Sequence, residues 1–234
     1  MPNSIRGLAR TIMRHRLATP WKRAYYVRLL RRLRPEQDAL LCSQYLHPGD
    51  IVLDLGANIG AYTKILSECV GRNGQVHALE PIPETFGYLF NSVQRLSLQN
   101  VFCYNIAASS QTGLGYAAIP NYKDGGQNFY QAHLANEGIR VRIFRLDDLF
   151  ADLSPSFVKC DVEDRELEVI LGATKMIERC HPVWLMEVCL ATEADVMKSM
   201  RAHGYAARKL EKNWLFVPVG QAFGTISVPT QPLG

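Results

Sequence analysis

The chain has 234 residues, of which 47% are hydrophobic and 21% are charged. This composition suits one soluble globular domain with a sizeable core, and no stretch approaches the roughly 18 uninterrupted apolar residues of a membrane span. The net charge of +4 is unevenly distributed, because residues 1–35 hold ten Lys or Arg and no Asp or Glu, whereas the remainder holds 16 basic and 22 acidic residues.

The basic segment, residues 1–35, is predicted to be a helical extension of a single domain over residues 36–234. Its arginine content resembles that of a transit peptide, but it lacks the apolar segment and the cleavage site of a secretory signal. Its apolar residues follow the spacing of an amphipathic helix that could dock on the domain, namely Trp21, Tyr25, Val27, Leu29 and Leu30. Two interpretations stay open: a solvated extension, and an arm that contacts an anionic membrane surface, a glycolipid or nucleic acid.

None of the six cysteines belongs to a C-x-x-C pair, and most lie in apolar runs. We therefore expect buried free thiols in a reducing compartment, and no zinc site. This favours a cytoplasmic protein, with peripheral contact at a membrane if the basic segment binds one.

The first half of the chain alternates helices and strands. The predicted elements are a helix over 36–46, a strand over 51–55, a helix over 62–70, a strand over 75–80, a helix that begins at Pro83 and a strand over 100–108. Glycines then loosen the pattern between 109 and 140, where we expect an extended pair, 114–119 and 140–146, around a loop.

Regular elements return in the second half. They are a strand over 156–162, a helix over 164–178, a strand over 182–188, a helix over 192–204 and an antiparallel hairpin of 205–210 with 214–219. The alternation as a whole predicts an α/β fold with an open, mostly parallel sheet.

The segment LDLGANIGAYT, residues 53–63, joins the first strand to its helix. Gly56 and Gly60 allow a ligand to approach the main chain, but position 58 is not glycine, so the dinucleotide fingerprint G-x-G-x-x-G is absent. A carboxylate at Asp54 would repel a pyrophosphate and favour a ligand that carries an ammonium and a sulfonium group. The turn therefore favours S-adenosylmethionine over NAD.

Glu80 ends the second strand, 20 residues after Gly60. A carboxylate at this place can accept both hydroxyls of an adenosine ribose. The alternative is an ordinary α/β core in which Glu80 holds no ligand.

Six segments in series carry a family resemblance: VLDLGANIGAYT, VHALEPIPETFGYLFNSV, NVFCYNIAAS, RLDDL, FVKCDVEDRELEVILGA and PVWLMEV. They resemble consecutive blocks of the FkbM-like family of S-adenosylmethionine-dependent methyltransferases, from about Pro48 to Val188. The resemblance implies the class I, Rossmann-like fold: a seven-stranded, mostly parallel sheet with an antiparallel last hairpin and helices on both faces. It also implies O-methylation of a sugar, a glycolipid or polysaccharide, or another hydroxylated metabolite.

The resemblance also assigns the cofactor site. The glycine turn with Asp54 would hold the methionine part, Glu80 the ribose, and the end of the third strand would lie near the adenine. The expected cofactor-binding residues are Asp54, Gly56, Ala57, Asn58, Gly60, Thr63, Glu80, Pro81, Asn105 and Ala107. One position departs from the family, which usually has Asp-Val-Glu-Gly where this chain has Asp164 as the fourth residue. Asp164 either caps the following helix or changes the acceptor pocket.

Methyl transfer to oxygen requires a group that accepts the proton of the hydroxyl. Asp161 and Glu163 follow the fourth strand of the sheet and Glu187 lies near the end of the fifth, so all three could reach one cleft. One could be the base, and together they could bind sugar hydroxyls or a divalent cation, although no metal motif indicates one. Alternatively, Asp161 positions the cofactor and Glu163 forms a structural ion pair. Lys159 is expected to pair with one of these carboxylates.

Other polar and aromatic residues are weaker candidates. His133 could serve as a base, whereas His77 is expected to be a core residue and Asp147 to cap or end a short element. The aromatic residues of the loop suit either sugar binding or ordinary packing; they are Tyr122, Phe129 and Tyr130.

Three other functions compete with O-methylation of a small-molecule or glycan acceptor. A nucleic-acid methyltransferase usually has an Asn/Asp-Pro-Pro-aromatic run after the fourth strand, which is absent, and an acidic cleft is a poor host for phosphate. A protein methyltransferase remains an alternative. A silent cofactor-binding module is disfavoured by the intact turn, Glu80 and Asp161.

Overall fold

The computed structural model describes residues 19–33, 37–121, 128 and 132–223. The expectations for the first 18 residues and for the aromatic residues Tyr122, Phe129 and Tyr130 lie outside the described residues. Within the described ranges, no helix has the length and apolar content needed to cross a membrane.

The described part of the chain contains eleven strands and eight helices. The strands are β1 Ile51–Leu55, β2 Gln75–Leu79, β3 Val101–Tyr104, β4 Ala107–Ala108, β5 Gly113–Ala118, β6 His133–Ala135, β7 Ile139–Phe144, β8 Phe157–Cys160, β9 Val183–Met186, β10 Tyr205–Lys209 and β11 Trp214–Pro218. The helices are α1 Thr19–Arg31, α2 Gln37–Cys42, α3 Ala61–Val70, α4 Pro83–Arg95, α5 Leu146–Leu149, α6 Glu166–Leu171, α7 Thr174–Cys180 and α8 Glu193–Ala202.

Seven strands form the main sheet in the order β10-β11-β9-β8-β1-β2-β3. The pairs from β9 to β3 are parallel, and β11 is antiparallel to both of its neighbours. This is the fold that the resemblance implied, including the antiparallel final hairpin. The strand order reverses at β1, which lies between β2 and β8, so the crevice at the carboxyl ends of these strands is the expected place for a ligand.

Both faces of the main sheet are buried, as a parallel sheet requires. Leu53 and Leu55 pack into one core with Val158 and Trp184. Val52 points to the opposite face and packs against Leu66 and its neighbours in a second core. The alternation of side chains along β1 therefore places one layer of helices on each face.

The irregular middle segment forms a second sheet in the order β4-β7-β5-β6. The antiparallel pair of β5 with β7 confirms the predicted extended pair. The predicted strand over 100–108 was too long, because β3 ends at Tyr104 and Ala107–Ala108 pairs with β7 instead. The chain turns at Asn105, whose side-chain amide donates to the main-chain oxygens of Glu80 and Pro81.

The single helix predicted over 164–178 is two helices, α6 and α7. Between them lies Gly172, where a Cβ would overlap the carbonyl oxygen of Ser109. Asp147 caps α7, since its carboxylate accepts the backbone N–H groups of Lys175 and Met176. Burial favours the neutral form of Asp147, but these N–H groups outweigh it and lower the pKa of its carboxyl.

Helix α1 lies beside α4 and runs in the same direction. Its buried face carries Tyr26 and Leu30, and the Tyr26 ring lies 5.0 Å from the ring of Tyr88. The helix thus docks on the domain through part of the predicted apolar set. Trp21, which belonged to that set, is 72% exposed instead.

All six cysteines lie in the described part of the chain and are free thiols. Cys42 and Cys160 are buried, whereas the other four are partly exposed. The expected free state is therefore correct, but full burial holds for two of the six.

We predict that Gly172→Ala lowers the free energy of unfolding by about 2–4 kcal/mol, because the new Cβ must displace backbone atoms. Gly172 has a φ of −84°, so the effect is steric and not a strained dihedral. Gly87→Ala in α4 is the matched control. The nearest atom to its Cβ would be 3.9 Å away, so this change should stabilise the helix by up to about 1 kcal/mol. Urea denaturation of both variants measures the difference, and equal effects would contradict the prediction.

Candidate active site

The glycine turn after β1 is tied to the end of β2. The N–H groups of Gly56 and Ala57 both donate to the carbonyl oxygen of Leu79, at 3.0 and 2.9 Å. Gly56 has a φ of +77°, and a Cβ there would overlap the carbonyl oxygen of Asp161. Only glycine fits, because the turn passes directly over the end of β8.

The second half of the turn leads into α3. Asn58 and Gly60 both have left-handed backbone conformations, with φ of +52° and +95°. Because α3 begins at Ala61, the free N–H groups of its first turn face the crevice end of the sheet. The side-chain oxygen of Asn58 is buried and accepts no hydrogen bond from the described residues. It is therefore an acceptor that a ligand can use.

Glu80 lies under the turn with its carboxylate buried. One oxygen accepts the N–H of Ile82 at 2.9 Å and the other accepts the N–H of Asn58 at 3.0 Å. Burial raises the pKa of Glu80 to about 7, the two N–H groups oppose this, and the charges of Asp54 and Asp161 add to it. Each carboxylate oxygen keeps a second lone pair, which is where the two ribose hydroxyls of the expected ligand would donate.

Asp54 is also buried, and its carboxylate accepts a hydrogen bond from the hydroxyl of Thr63. Burial raises its pKa to about 6, while Thr63 and the charge of Lys159 lower it. A role of Thr63 in cofactor binding, through its contact with Asp54, stays a prediction. Two buried carboxyl groups on this side of the turn make a surface that favours a cationic ligand and disfavours a pyrophosphate.

Lys159 is the cation that lies against these acids. The register of β1 with β8 sets it beside Asp54, and its buried ammonium group lies 3.6 Å from the Asp161 carboxylate. The same ammonium lies 5.0 Å from the ring centroid of Tyr62. This is the ion pair that the sequence predicted for Lys159.

Asp161 and Glu187 follow neighbouring strands and lie at the same edge of the sheet. The N–H of Asp161 donates to Leu55 at the end of β1, and the N–H of Glu187 donates to Cys160 at the end of β8. Both side chains are partly buried. The structure therefore brings these two candidates to the crevice, and their chemical roles stay predictions.

Glu163 and Asp164 form a tight turn directly after β8. Both have left-handed backbone conformations, with φ of +53° and +73°. Asp164 thus keeps the conformation that a glycine would provide, which aspartate tolerates better than most residues. It is not the cap of α6, since the N-cap residue is Arg165 and no side chain caps that helix.

Glu166, beside this turn, is a buried acid that the sequence motifs did not single out. Its carboxyl is fully buried, one oxygen accepts the N–H of Val162 at 3.4 Å, and the other accepts no hydrogen bond from the described residues. Burial raises its pKa to about 7, with backbone N–H groups opposing and the charges of Asp161 and Asp164 adding. Helical spacing was the available signal, because Glu166 shares the face of α6 that buries Val169 and Ile170.

The second sheet covers the acidic turn. Arg165 donates to the carbonyl oxygen of Leu134 in β6 at 2.8 Å and pairs with Glu168. His133, the preceding residue in β6, is partly buried. This contact places His133 near the crevice, and its role as a base stays a prediction.

The remaining expected cofactor residues have structural contacts. The two hydrogen bonds of the Asn105 amide hold the chain at Glu80 and Pro81. Ala107 is buried in β4, opposite Ile143 of β7. A contact of Pro81, Asn105 or Ala107 with an adenine stays a prediction.

His77 lies in the core, as expected. Its ring nitrogens lie 2.9 Å from the Tyr104 hydroxyl and 3.2 Å from the Gln75 side chain, and burial lowers its pKa to about 4. Within the described ranges, no group of three or more His, Cys, Asp or Glu side chains is placed to hold a metal ion.

We predict that Glu166→Gln changes how stability depends on pH. Because the pKa of Glu166 is raised in the folded protein, the native state binds more protons than the unfolded state between about pH 4.5 and pH 7, so wild type loses stability as pH rises. The variant cannot ionise, and should gain about 2 kcal/mol relative to wild type between pH 5 and pH 8. Glu178→Gln, at an exposed position of α7, should show no such trend. A pH-independent difference in urea unfolding for Glu166→Gln would refute the burial effect.

Comparisons with known proteins agree with this geometry. The model of the methyltransferase FkbM domain matches residues 54–207. Hexuronic acid methyltransferase AglP of Haloferax volcanii is 30% identical over 155 residues, which are 64% of this chain and 61% of that protein. The chain thus spans less than two thirds of that relative.

Two solved structures share the fold. The FkbM methyltransferase of Methylobacillus flagellatus has a TM-score of 0.56 at 17% identity, over 82% of this chain and 57% of the other. An S-adenosylmethionine-dependent O-methyltransferase of Thermotoga maritima has a TM-score of 0.50 at 10% identity, over 81% and 68%. The extent of the family match, together with the fold and the acidic glycine turn, shows that the chain belongs to the FkbM family of S-adenosylmethionine-dependent methyltransferases.

Proposed function

We propose that this chain transfers a methyl group from S-adenosylmethionine to a hydroxyl oxygen of a sugar or of a similar hydroxylated acceptor. The proposal rests on one observation: the buried carboxyl groups of Asp54 and Glu80 lie beside a turn in which only glycine fits at position 56. We expect the cationic cofactor to bind beside these carboxyl groups, where Gly56 leaves the main chain bare.

The residues present fit that cofactor. The Glu80 oxygens have lone pairs for two ribose hydroxyls, and the unpaired oxygen of Asn58 suits a donor such as an ammonium group. When bound, S-adenosylmethionine supplies a methyl group on a positively charged sulfur. The field of Asp54, Glu80 and Asp161 is negative and stabilises such a charge.

We infer that Asp161 accepts the proton of the acceptor hydroxyl. Asp161 lies beside the glycine turn, since its main-chain carbonyl oxygen occupies the place that a Cβ of Gly56 would take. Lys159, 3.6 Å away, favours the ionised form that a base requires. Asp161 would hold the proton that the acceptor hydroxyl releases when it receives the methyl group.

Glu163 and Glu187 are assigned to acceptor binding. Partly buried carboxylates at the rim of a crevice accept hydrogen bonds from sugar hydroxyls and repel anionic acceptors. AglP is named for a hexuronic acid, which carries both hydroxyls and a carboxylate. The negative rim of this chain favours a hydroxyl over a carboxylate as the methylated group.

The negative charge of the crevice also bears on the alternative acceptors. A nucleic-acid acceptor would have to bring phosphates past Asp161, Glu163 and Glu187, which like-charge repulsion disfavours. A protein acceptor or a silent cofactor-binding module would show no label in glycans, so the acceptor assay below separates these functions. The basic segment is proposed to contact an anionic membrane surface.

The cofactor assignment predicts the pH dependence of binding. Calorimetry should detect S-adenosylmethionine binding and no NAD binding, and Glu80→Gln should weaken the former about tenfold or more because an amide cannot accept both hydroxyls as a carboxylate does. Since the pKa of Glu80 is about 7, affinity should fall as pH drops from 8 to 6, by up to about tenfold per unit. Glu178→Gln is the charge-matched control. If the wild-type protein bound no S-adenosylmethionine, the proposed function would be wrong.

The acceptor assignment is tested by methyl-label transfer to cell extract separated into glycan, lipid, RNA and protein. Label should appear in the glycan or glycolipid fraction. Asp161→Asn should lower kcat about 100-fold or more with cofactor affinity retained, as expected for a general base, whereas Glu163→Gln and Glu187→Gln should mainly raise the KM for the acceptor. Asp152→Asn, at an exposed position, is the control. If Asp161→Asn weakens only cofactor binding, Asp161 is a cofactor ligand and not the base.

A further inference from the structure

A cleft of about 450 Å³ opens between α1 and the end of α4, away from the candidate active site. Its lining residues are Ala24, Val27, Arg28, Arg31, Arg32 and Arg95. Three of the arginines belong to the end of α1 and its following turn, and the fourth belongs to the last turn of α4. The two helices therefore combine their basic ends in one cavity.

The positive charge of this arginine cleft has no counter-charge among the described residues. No carboxylate within the described ranges forms an ion pair with any of its four guanidinium groups, although Arg31 donates to the main-chain oxygen of Arg95 at 3.4 Å. The sequence adds four more arginines before residue 18 and no acid before residue 36. An anion that bridges the guanidinium groups would relieve their mutual repulsion.

The arginine cleft is separate from the cofactor site. The first turn of α4 contacts Lys22 of α1 through Glu84, and this end of α4 follows Glu80. The cleft lies at the opposite end of α4, which has 13 residues and a length of roughly 20 Å. An anion in the cleft is therefore neither the cofactor nor a group at the methylated position.

Exposed apolar surface lies on the same face of α1. Trp21 is 72% exposed, and it precedes Arg28 by seven residues and Arg32 by eleven. At 3.6 residues per turn the interval of seven places Arg28 within about 20° of Trp21 around the helix, and Arg32 lies in the turn that follows α1. A tryptophan aligned with an unpaired arginine on one helix face is typical of a segment that lies in the headgroup region of a membrane.

We propose that the arginine cleft and Trp21 form a binding site for the phosphate headgroups of an anionic lipid surface, with α1 lying along that surface. This site does not depend on the proposed methyl transfer. Lipid is favoured over free phosphate because phosphate alone would leave the exposed indole of Trp21 without an apolar environment, whereas the headgroup region of a bilayer offers that environment beside its phosphates. Lipid also accounts for the alignment of Trp21 with Arg28.

The test is cosedimentation of the full chain with phosphatidylcholine vesicles, with and without phosphatidylglycerol, at physiological ionic strength. Wild type should bind only the anionic vesicles, and Arg28→Gln/Arg31→Gln/Arg32→Gln should bind them about tenfold less tightly or weaker, since each basic residue at such a surface contributes several-fold. Vesicles should also shift the tryptophan emission to the blue, and Trp21→Phe should abolish the shift. Of the other two tryptophans, Trp184 is buried, and Trp214 is held in the main sheet with its indole N–H donated to Glu193.

The matched control is Lys175→Gln/Lys198→Gln/Arg201→Gln, which removes three exposed positive charges from α7 and α8. It should bind vesicles as wild type does, and both triple variants should keep the melting temperature and the S-adenosylmethionine affinity of wild type. If both triple variants lost vesicle binding equally, net charge alone would explain the binding and the proposed site would be wrong. Wild type that ignores anionic vesicles, or that binds inorganic phosphate or an RNA oligonucleotide through these arginines instead, would overturn the lipid assignment.

Discussion

The candidate active site depends on one close backbone approach, between Gly56 after β1 and the carbonyl oxygen of Asp161 after β8. Because a side chain at Gly56 would occupy the position of that oxygen, any other residue would force β1 and β8 apart. The pairing that this contact preserves sets Asp54 beside Lys159. In the same turn, the N–H of Asn58 donates to the Glu80 carboxylate. Main-chain contacts therefore hold together the ends of β1, β2 and β8, where Asp54, Glu80 and Asp161 lie.

Burial of carboxyl groups sets the electrostatics of this region. The pKa values of Asp54, Glu80 and Glu166 are all raised toward neutrality, first by burial and then by neighbouring acids. Burying these carboxyl groups costs desolvation energy. At Asp54, the Thr63 hydroxyl and the charge of Lys159 offset only part of this cost. A positively charged ligand at the turn would relieve it further. Stability and ligand binding are therefore coupled to protonation in the same pH range.

Helix α1 connects the two regions of unlike charge. Its Tyr26 packs in one cluster with Ile59 of the glycine turn and Ile82 after Glu80, while its last turn contributes arginines to the cleft. The helix therefore supports the loops that carry the cofactor site and also presents a basic surface at the far end of α4. The domain is acidic where a sugar acceptor is proposed to bind and basic where a lipid surface is proposed to bind.

The sequence by itself determined the strands of the main sheet, the glycine turn with Asp54 and Glu80, and the family, because hydrophobic periodicity, motif order and glycine positions are local properties. Only the tertiary structure decided the features that depend on distant contacts. Gly172 breaks a helix because its backbone meets Ser109, and Asn105 ends β3 because its amide binds the chain at Glu80. Glu166 lies beside the candidate active site for the same reason: helical spacing indicates its burial with Val169 and Ile170, but only the fold brings it to the turn that follows β8.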